Sequence, residues 1–227
     1  MKPINPIGFE QKFRDNIDPW NYTASPFERY KRGVLLRACG CRTYGRGLEL
    51  ACAIGETTRC LAQRCLRLLA IDSSVTALAE AKRRTRDNER VIFRRLVLPD
   101  EMPRGPFDLI TASEIAYYID QHALSQLLHK LKMALSPNGR IVFLNHTCQF
   151  DDAAQLPALA HRRMRRTLEK SMYIVFHERH SRFDVVAFQK PRPCSTTQAA
   201  QRIRSGPDAT PIRKARVHIR GPTGATR

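Results

Sequence analysis

No apolar run in the 227-residue chain approaches the ~20 residues that a helix needs to cross a bilayer. The first residues, MKPINPIGFEQKF, lack the apolar stretch of a secretory signal, so cytoplasmic residence is the expectation. Disulfide pairing is also missing as a theme: the seven cysteines are odd in number and scattered, unlike the framework of a small secreted domain. Neither Cys39-Gly-Cys41, nor Cys60 and Cys65, nor His177 and His180 has the paired spacing of a zinc site, so no metal is expected. Acidic residues are few, 21 against 39 Lys and Arg, for a net charge of +18. Such an excess raises the question of a nucleic-acid partner. The basic runs AKRRTR (Ala81–Arg86) and HRRMRR (His161–Arg166) have no aromatic residues among them, so they form no base-stacking platform.

What is present is a regular alternation. Arg46–Ala51, Leu66–Ile71, Val91–Arg95, Phe107–Ala112 and Ile141–Asn145 are short apolar, β-prone runs. Helical stretches fall between them, at Glu56–Arg64, Ser74–Asn88 with Ser73 or Ser74 as cap, and from the Asp120 cap to Leu135. In the last of these, Leu124, Leu127, Leu128, Leu131 and Leu135 share one face. SPNG (Ser136–Gly139) reads as a turn, and after a basic helix Met172–His177 and Phe183–Gln189 read as an antiparallel pair. The pattern predicts an α/β fold, a doubly wound and mostly parallel seven-stranded sheet with a final antiparallel strand pair. Residues 1–38 are expected to form an N-terminal lid or cap with one helix, 39–190 the ligand-binding domain, and 191–227 a basic, disordered tail. That tail has eight Lys and Arg against one Asp, a net +7.

Ligands of such sheets bind at the carboxyl ends of the strands. There LELACAIGETT (Leu48–Thr58) resembles a nucleotide loop reduced to a single glycine, Gly55. Glycine tolerates positive φ and close backbone approach, while Ala51 and Ala53 are expected where φ is negative. No Lys-Ser/Thr follows Gly55, which excludes a nucleoside-triphosphate loop, and the full dinucleotide fingerprint is absent. Asp72, at the end of the second strand, can accept hydrogen bonds from two ribose hydroxyls or cap the next helix; with Glu49 and Gly55 the ribose reading is favoured.

A ribose without a required pyrophosphate fits S-adenosyl-L-methionine. Residues 48–58, 72 and 107–119 look like motifs of the class I methyltransferases. More narrowly, DPWNYTASPFERYK (Asp18–Lys31) and SEIAYYI (Ser113–Ile119) resemble nodulation protein S and its relatives, over roughly residues 9–190. That resemblance implies N-methylation of the free amine at the non-reducing end of a chitooligosaccharide, in nodulation factor synthesis. It also implies Ala51, where relatives usually have glycine, Ser73, and Val97 with Leu98, where relatives often have an acid, as the cofactor's neighbours. Backbone groups around Leu96–Leu98, or Asp100, would then serve the adenine. SPFE (Ser25–Glu28) is a capping box with proline at the first helical position, and it aims the preceding turn and Trp20. Trp20 is either a wall over the cofactor's methionine end or a docking residue. The candidates for chemistry are Glu114, Tyr117, Tyr118 and His146, with Glu114 at the family's acidic position. The expected partner is a small amine or amino-sugar acceptor. An RNA methyltransferase, an RNA-binding protein and a non-catalytic cofactor-binding homologue are the alternatives, and the first two lack both an RNA-recognition module and an NPPY-type motif.

Overall fold

The computed structural model describes residues 3–86 and 88–193. The expected tail therefore lies, from residue 194 onward, outside the described residues. Two helices open the chain, α1 (Pro6–Asp15) and α2 (Pro26–Cys39), where the sequence suggested one. The remainder runs β1 (Tyr44–Leu50), α3 (Glu56–Leu61), β2 (Cys65–Asp72), α4 (Val75–Thr85), β3 (Val91–Arg95), β4 (Phe107–Ser113), α5 (Gln121–Ala134), β5 (Leu135–His146), α6 (Pro157–Glu169), β6 (Tyr173–Arg179) and β7 (Phe183–Gln189).

The strands form one seven-stranded sheet in the order β3-β2-β1-β4-β5-β7-β6. The first five are parallel, β7 is antiparallel to β5, and β6 is antiparallel to β7. Strand order reverses between β1 and β4, which opens the crevice of a doubly wound sheet at their carboxyl ends. Alternation along each strand divides the core. Ile141 and Phe143 of β5 face the leucine stripe of α5 and Met164 of α6. Val142 and Leu144 face Val34, Leu35 and Ala38 of α2. Thus α2, part of the segment expected to form the lid, supplies one layer of the core, and the described residues up to Arg192 form one compact unit.

Three local readings are corrected. SPNG is not a turn between elements but the irregular start of β5: Leu135 pairs with Phe107 and the Asn138 N–H donates to the Lys190 carbonyl. Pro137 has no N–H to lose there, and Asn138 absorbs the bend at φ 60°. Helix α4 stops at Thr85 because Arg86 adopts a left-handed φ of 52°. The capping box forms by half: Ser25 Oγ accepts from the Glu28 N–H at 3.3 Å, whereas the Glu28 carboxylate turns to the Lys31 ammonium at 3.0 Å.

Helix α1 lies across the carboxyl edge of the sheet because it is clipped at two places. Glu10 accepts from the hydroxyls of Ser74 and Thr76, both at 2.7 Å, at the first turn of α4. Lys12 pairs with Asp152 at 2.7 Å, and the Ile4 N–H donates to the Asp152 carbonyl. The hydrogen bonds from Thr76 and Ser74, the Thr76 hydroxyl first, hold the Glu10 carboxyl at about 2 against the opposing effect of burial. Among the described residues no helix is long and apolar enough to cross a membrane.

Candidate active site

The loops after β1, β2, β4 and β5 converge beneath α1 on a cavity of about 480 Å³. Phe9 and Phe13 of α1, with Trp20 and Tyr22 of the following turn, form its apolar roof. Trp20 meets Phe13 edge-on at 5.6 Å and carries the Lys12 ammonium over its ring at 5.2 Å. It therefore both lines the cavity and docks the N-terminal segment.

The loop after β1 takes a course unlike the one expected. Ala51 and Ala53, both lining the cavity, have positive φ values of 52° and 47°. For an L-residue this costs about 1–2 kcal/mol each, so the fold imposes glycine's geometry on alanine. The Ala53 N–H offsets part of that cost by donating to Asp72 Oδ2 at 2.9 Å. Gly55, at φ 82°, caps α3 and does not border the cavity. An added Cβ there would lie 2.9 Å from the Ala81 Cβ and 3.0 Å from its Cα, so its glycine serves the contact between α3 and α4.

Asp72 ends β2 inside the cavity and is buried. Its second oxygen accepts from the Ser74 N–H at 2.9 Å. Burial raises its pKa, and the N–H groups of Ser74, Ala53 and Ser73 oppose the rise. Each oxygen keeps a lone pair for a further donor. Ser73 lines the wall beside it, and Leu96, Val97 and Leu98 form an apolar wall after β3. The Val97 N–H is committed to Glu101 at 2.6 Å and the Leu96 N–H to the Asp72 carbonyl, while Asp100 does not reach the lining.

Glu49 is 4% exposed and borders a small recess of about 50 Å³ that shares Lys31, Ala51, Ala53 and Glu114 with the main cavity. Burial pushes its carboxyl up to about 8 against a smaller pull from the Thr58 hydroxyl, and Oε2 has no hydrogen-bond partner.

The loop after β4 carries Glu114, held at a left-handed φ of 57°. Its carboxylate meets the Lys31 ammonium at 2.5 Å, the Tyr117 hydroxyl at 2.5 Å and the His146 N–H at 2.7 Å. The His146 ring nitrogen Nδ1 is 3.8 Å away. Burial alone would raise the Glu114 pKa; His146, Lys31 and Tyr117 overcome that and hold it at about 2. So weak a base is a fixed negative charge rather than a proton store. Tyr117 is buried, and Tyr118 packs edge-on to Phe9 at 4.9 Å.

Lys31 was not singled out in the sequence, and Glu28 was read only as the acid of the capping box. Lys31 is only 5% exposed, yet burial's downward pull on its pKa is outweighed by Glu114 and Glu28, and it is raised. Glu28, one turn earlier at 3.0 Å, was the available signal, since a helical i,i+3 acid–base pair is readable. The contact to Glu114 was not, because it joins distant parts of the chain.

A parallel sheet with this strand order and an antiparallel last strand, with an acid closing β2 at the cavity, defines the class I methyltransferase fold. The model of the nodulation protein S (NodS) family matches residues 9–152, more than half of the chain, and the chain belongs to that family. Among curated relatives, nodulation protein S of Sinorhizobium fredii is 31% identical over 128 residues, 56% of this chain and 59% of that protein. The chain thus matches less than two thirds of that relative's length. Nodulation protein S of Azorhizobium caulinodans is 26% identical over 145 residues, 62% of this chain and 70% of the relative. In fold the chain is similar to the N-methyltransferase NodS from Bradyrhizobium japonicum WM9, whose crystal structure holds S-adenosyl-L-homocysteine. The TM-score is 0.69 at 24% identity, covering 81% of this chain and 98% of that one.

Proposed function

We propose that the protein is an S-adenosylmethionine-dependent N-methyltransferase whose acceptor is the amine of an amino sugar, at the non-reducing end of a chitooligosaccharide in nodulation factor synthesis. One observation carries this reading. In a chain of net charge +18, the described residues that line the cavity include four carboxylates, of Glu28, Asp72, Glu114 and Asp152, and one ammonium, that of Lys31. An excess of negative charge in a basic protein suits a cationic guest, and both a sulfonium donor and an amine acceptor are cationic at neutral pH.

The residues fit the cofactor. Asp72 has free lone pairs for ribose hydroxyls, with Ser73 beside it. Val97 and Leu98 give an adenine ring an apolar wall, and Trp20 roofs the opposite end. Glu49, with its unpartnered oxygen in the recess beside Ala51, answers an ammonium group there. Gly55 acts indirectly, by fixing α3 against α4. Bound there, S-adenosylmethionine would supply an electrophilic methyl group.

The protein's own work is alignment, exclusion of water and removal of one proton. Helix α1 and the turn through Trp20 serve as the lid. Glu114, oriented by Lys31 and Tyr117, accepts a hydrogen bond from the acceptor amine. His146, the histidine on the cavity wall, takes the proton that the amine must lose before or during attack. Residence in the cytoplasm, where the donor is made, belongs to the same proposal. Labelled S-adenosylmethionine and a chitooligosaccharide with a free terminal amine provide the test. Label on that nitrogen is the expected result, and no transfer to it or to a panel of amines rejects the reading.

A further inference from the structure

Beside His146 the wall of the cavity continues outward as a shelf of rings. Phe27 of α2 lies 6.4 Å from the His146 ring and 5.8 Å from Phe183. Tyr30, one turn further along α2, lies 6.2 Å from Phe183 and 5.5 Å from His180. The His180 ring is stacked on Phe183 at 4.3 Å. The turn between β6 and β7 is tied to the segment after β5, since the Thr147 N–H donates to the Arg182 carbonyl at 2.9 Å. The shelf is therefore built from one helix and one anchored turn.

Two features mark it as more than packing. Tyr30 remains 50% exposed although it sits on this ring cluster. The Arg182 guanidinium lies 3.8 Å over the Phe27 ring, and among the described residues it has no ion pair and no side-chain hydrogen bond. Its planar array of donors is thus oriented by stacking and still unused. Aromatic faces attract the C–H bonds of a pyranose, and a free guanidinium binds its hydroxyl and acyl oxygens.

We propose that Tyr30 and Arg182, beside His146, form a subsite for the sugar ring next to the one that bears the reacting amine. This rests on the N-methyltransferase reading above, and it makes chain length a determinant of specificity. The terminal amino sugar reaches Glu114 and His146, and the following ring lies against the exposed Tyr30, with the Arg182 guanidinium, stacked on the neighbouring Phe27, as its hydrogen-bond donor.

The test compares kcat/KM for a single glucosamine with that for a chitooligosaccharide of several units carrying a free terminal amine. Tyr30→Ala, Arg182→Ala and Tyr30→Phe are measured beside wild type, with S-adenosylhomocysteine calorimetry to verify that each variant is folded. Wild type should prefer the oligomer by tenfold or more, and either alanine variant should lose roughly tenfold of that ratio. Tyr30→Phe should keep it, because the ring face survives. An oligomer preference unchanged by both alanine variants, or no oligomer preference in wild type, overturns the subsite and leaves the N-methyltransferase reading intact. Failure of wild type to methylate any amino sugar overturns both.

Discussion

Replacing Lys31 by methionine removes the ammonium that joins Glu28 to Glu114 while keeping most of the volume. In wild type the Glu114 carboxyl lies at about 2 against an ordinary 4.5. At ~1.4 kcal/mol per pH unit, that lowering is worth on the order of 3 kcal/mol at neutral pH. Because the folded-state value is the lower one, this stability is present above about pH 4.5 and lost as pH falls through about 2. Taking away one partner of a buried pair costs about 3–5 kcal/mol. We expect the lower end, since Tyr117 and His146 still donate to Glu114. For a unit of this size, ~3 kcal/mol lowers Tm by roughly 6–12 °C. Thermal melts at pH 7 read this directly, and melts toward pH 3 should show a shallower acid limb in the variant. Adding Glu114→Gln to Lys31→Met should restore a large part of the loss, because the deeper of the two charges that Lys31 neutralises is then gone and only the Glu28 carboxylate, 16% exposed, is left without it. A Lys31→Met protein that melts like wild type, or a double variant no better than the single one, would refute the reasoning.

Glu49→Gln should raise Tm at pH 8 in the ligand-free protein. A carboxyl pushed up to about 8 costs stability as pH rises from its ordinary value to that point, and the amide escapes ionisation. The same variant should bind S-adenosylhomocysteine more weakly by calorimetry; a lower Tm with unchanged affinity would contradict both parts. Gly55→Ala should destabilise by about 1–3 kcal/mol in urea unfolding, from positive φ together with the close approach to Ala81. Glu10→Ala should release α1 from α4, seen as faster hydrogen exchange over residues 6–15 with the sheet unaffected.

The parallel core was legible because its signals are local. Alternating apolar runs, the leucine face of α5 and the acid at the end of β2 all follow from period and spacing. Helix α1 was also signalled, by the Asn5 cap, whose side chain accepts from the Gly8 N–H at 2.8 Å, and by Pro6 at the first position. The short PIGFEQKFRD pattern nevertheless merged with its surroundings. SPNG misled because turn chemistry was overruled by pairing on both sides of the strand. In the site, Asp72, Ser73, Val97, Leu98, Glu114, Tyr117 and His146 do line one cavity, since strand ends put them there. Glycine's role at Gly55 was legible as a conformation but not as a contact, because Ala81 reaches it only through packing of α4. Lys31 escaped for a similar reason. Its charge gains meaning from Glu114, and no periodicity links the two.

The central claim is that an acid-lined cavity beneath α1 brings a sulfonium donor and a sugar amine together. Mass spectrometry of a chitooligosaccharide with a free terminal amine, after incubation with S-adenosylmethionine and the protein, tests it most directly. The account predicts one methyl group gained on that terminal nitrogen, and a sharp loss of the product with Asp72→Ala. An unmodified oligosaccharide, or methylation unaffected by Asp72→Ala, would contradict it.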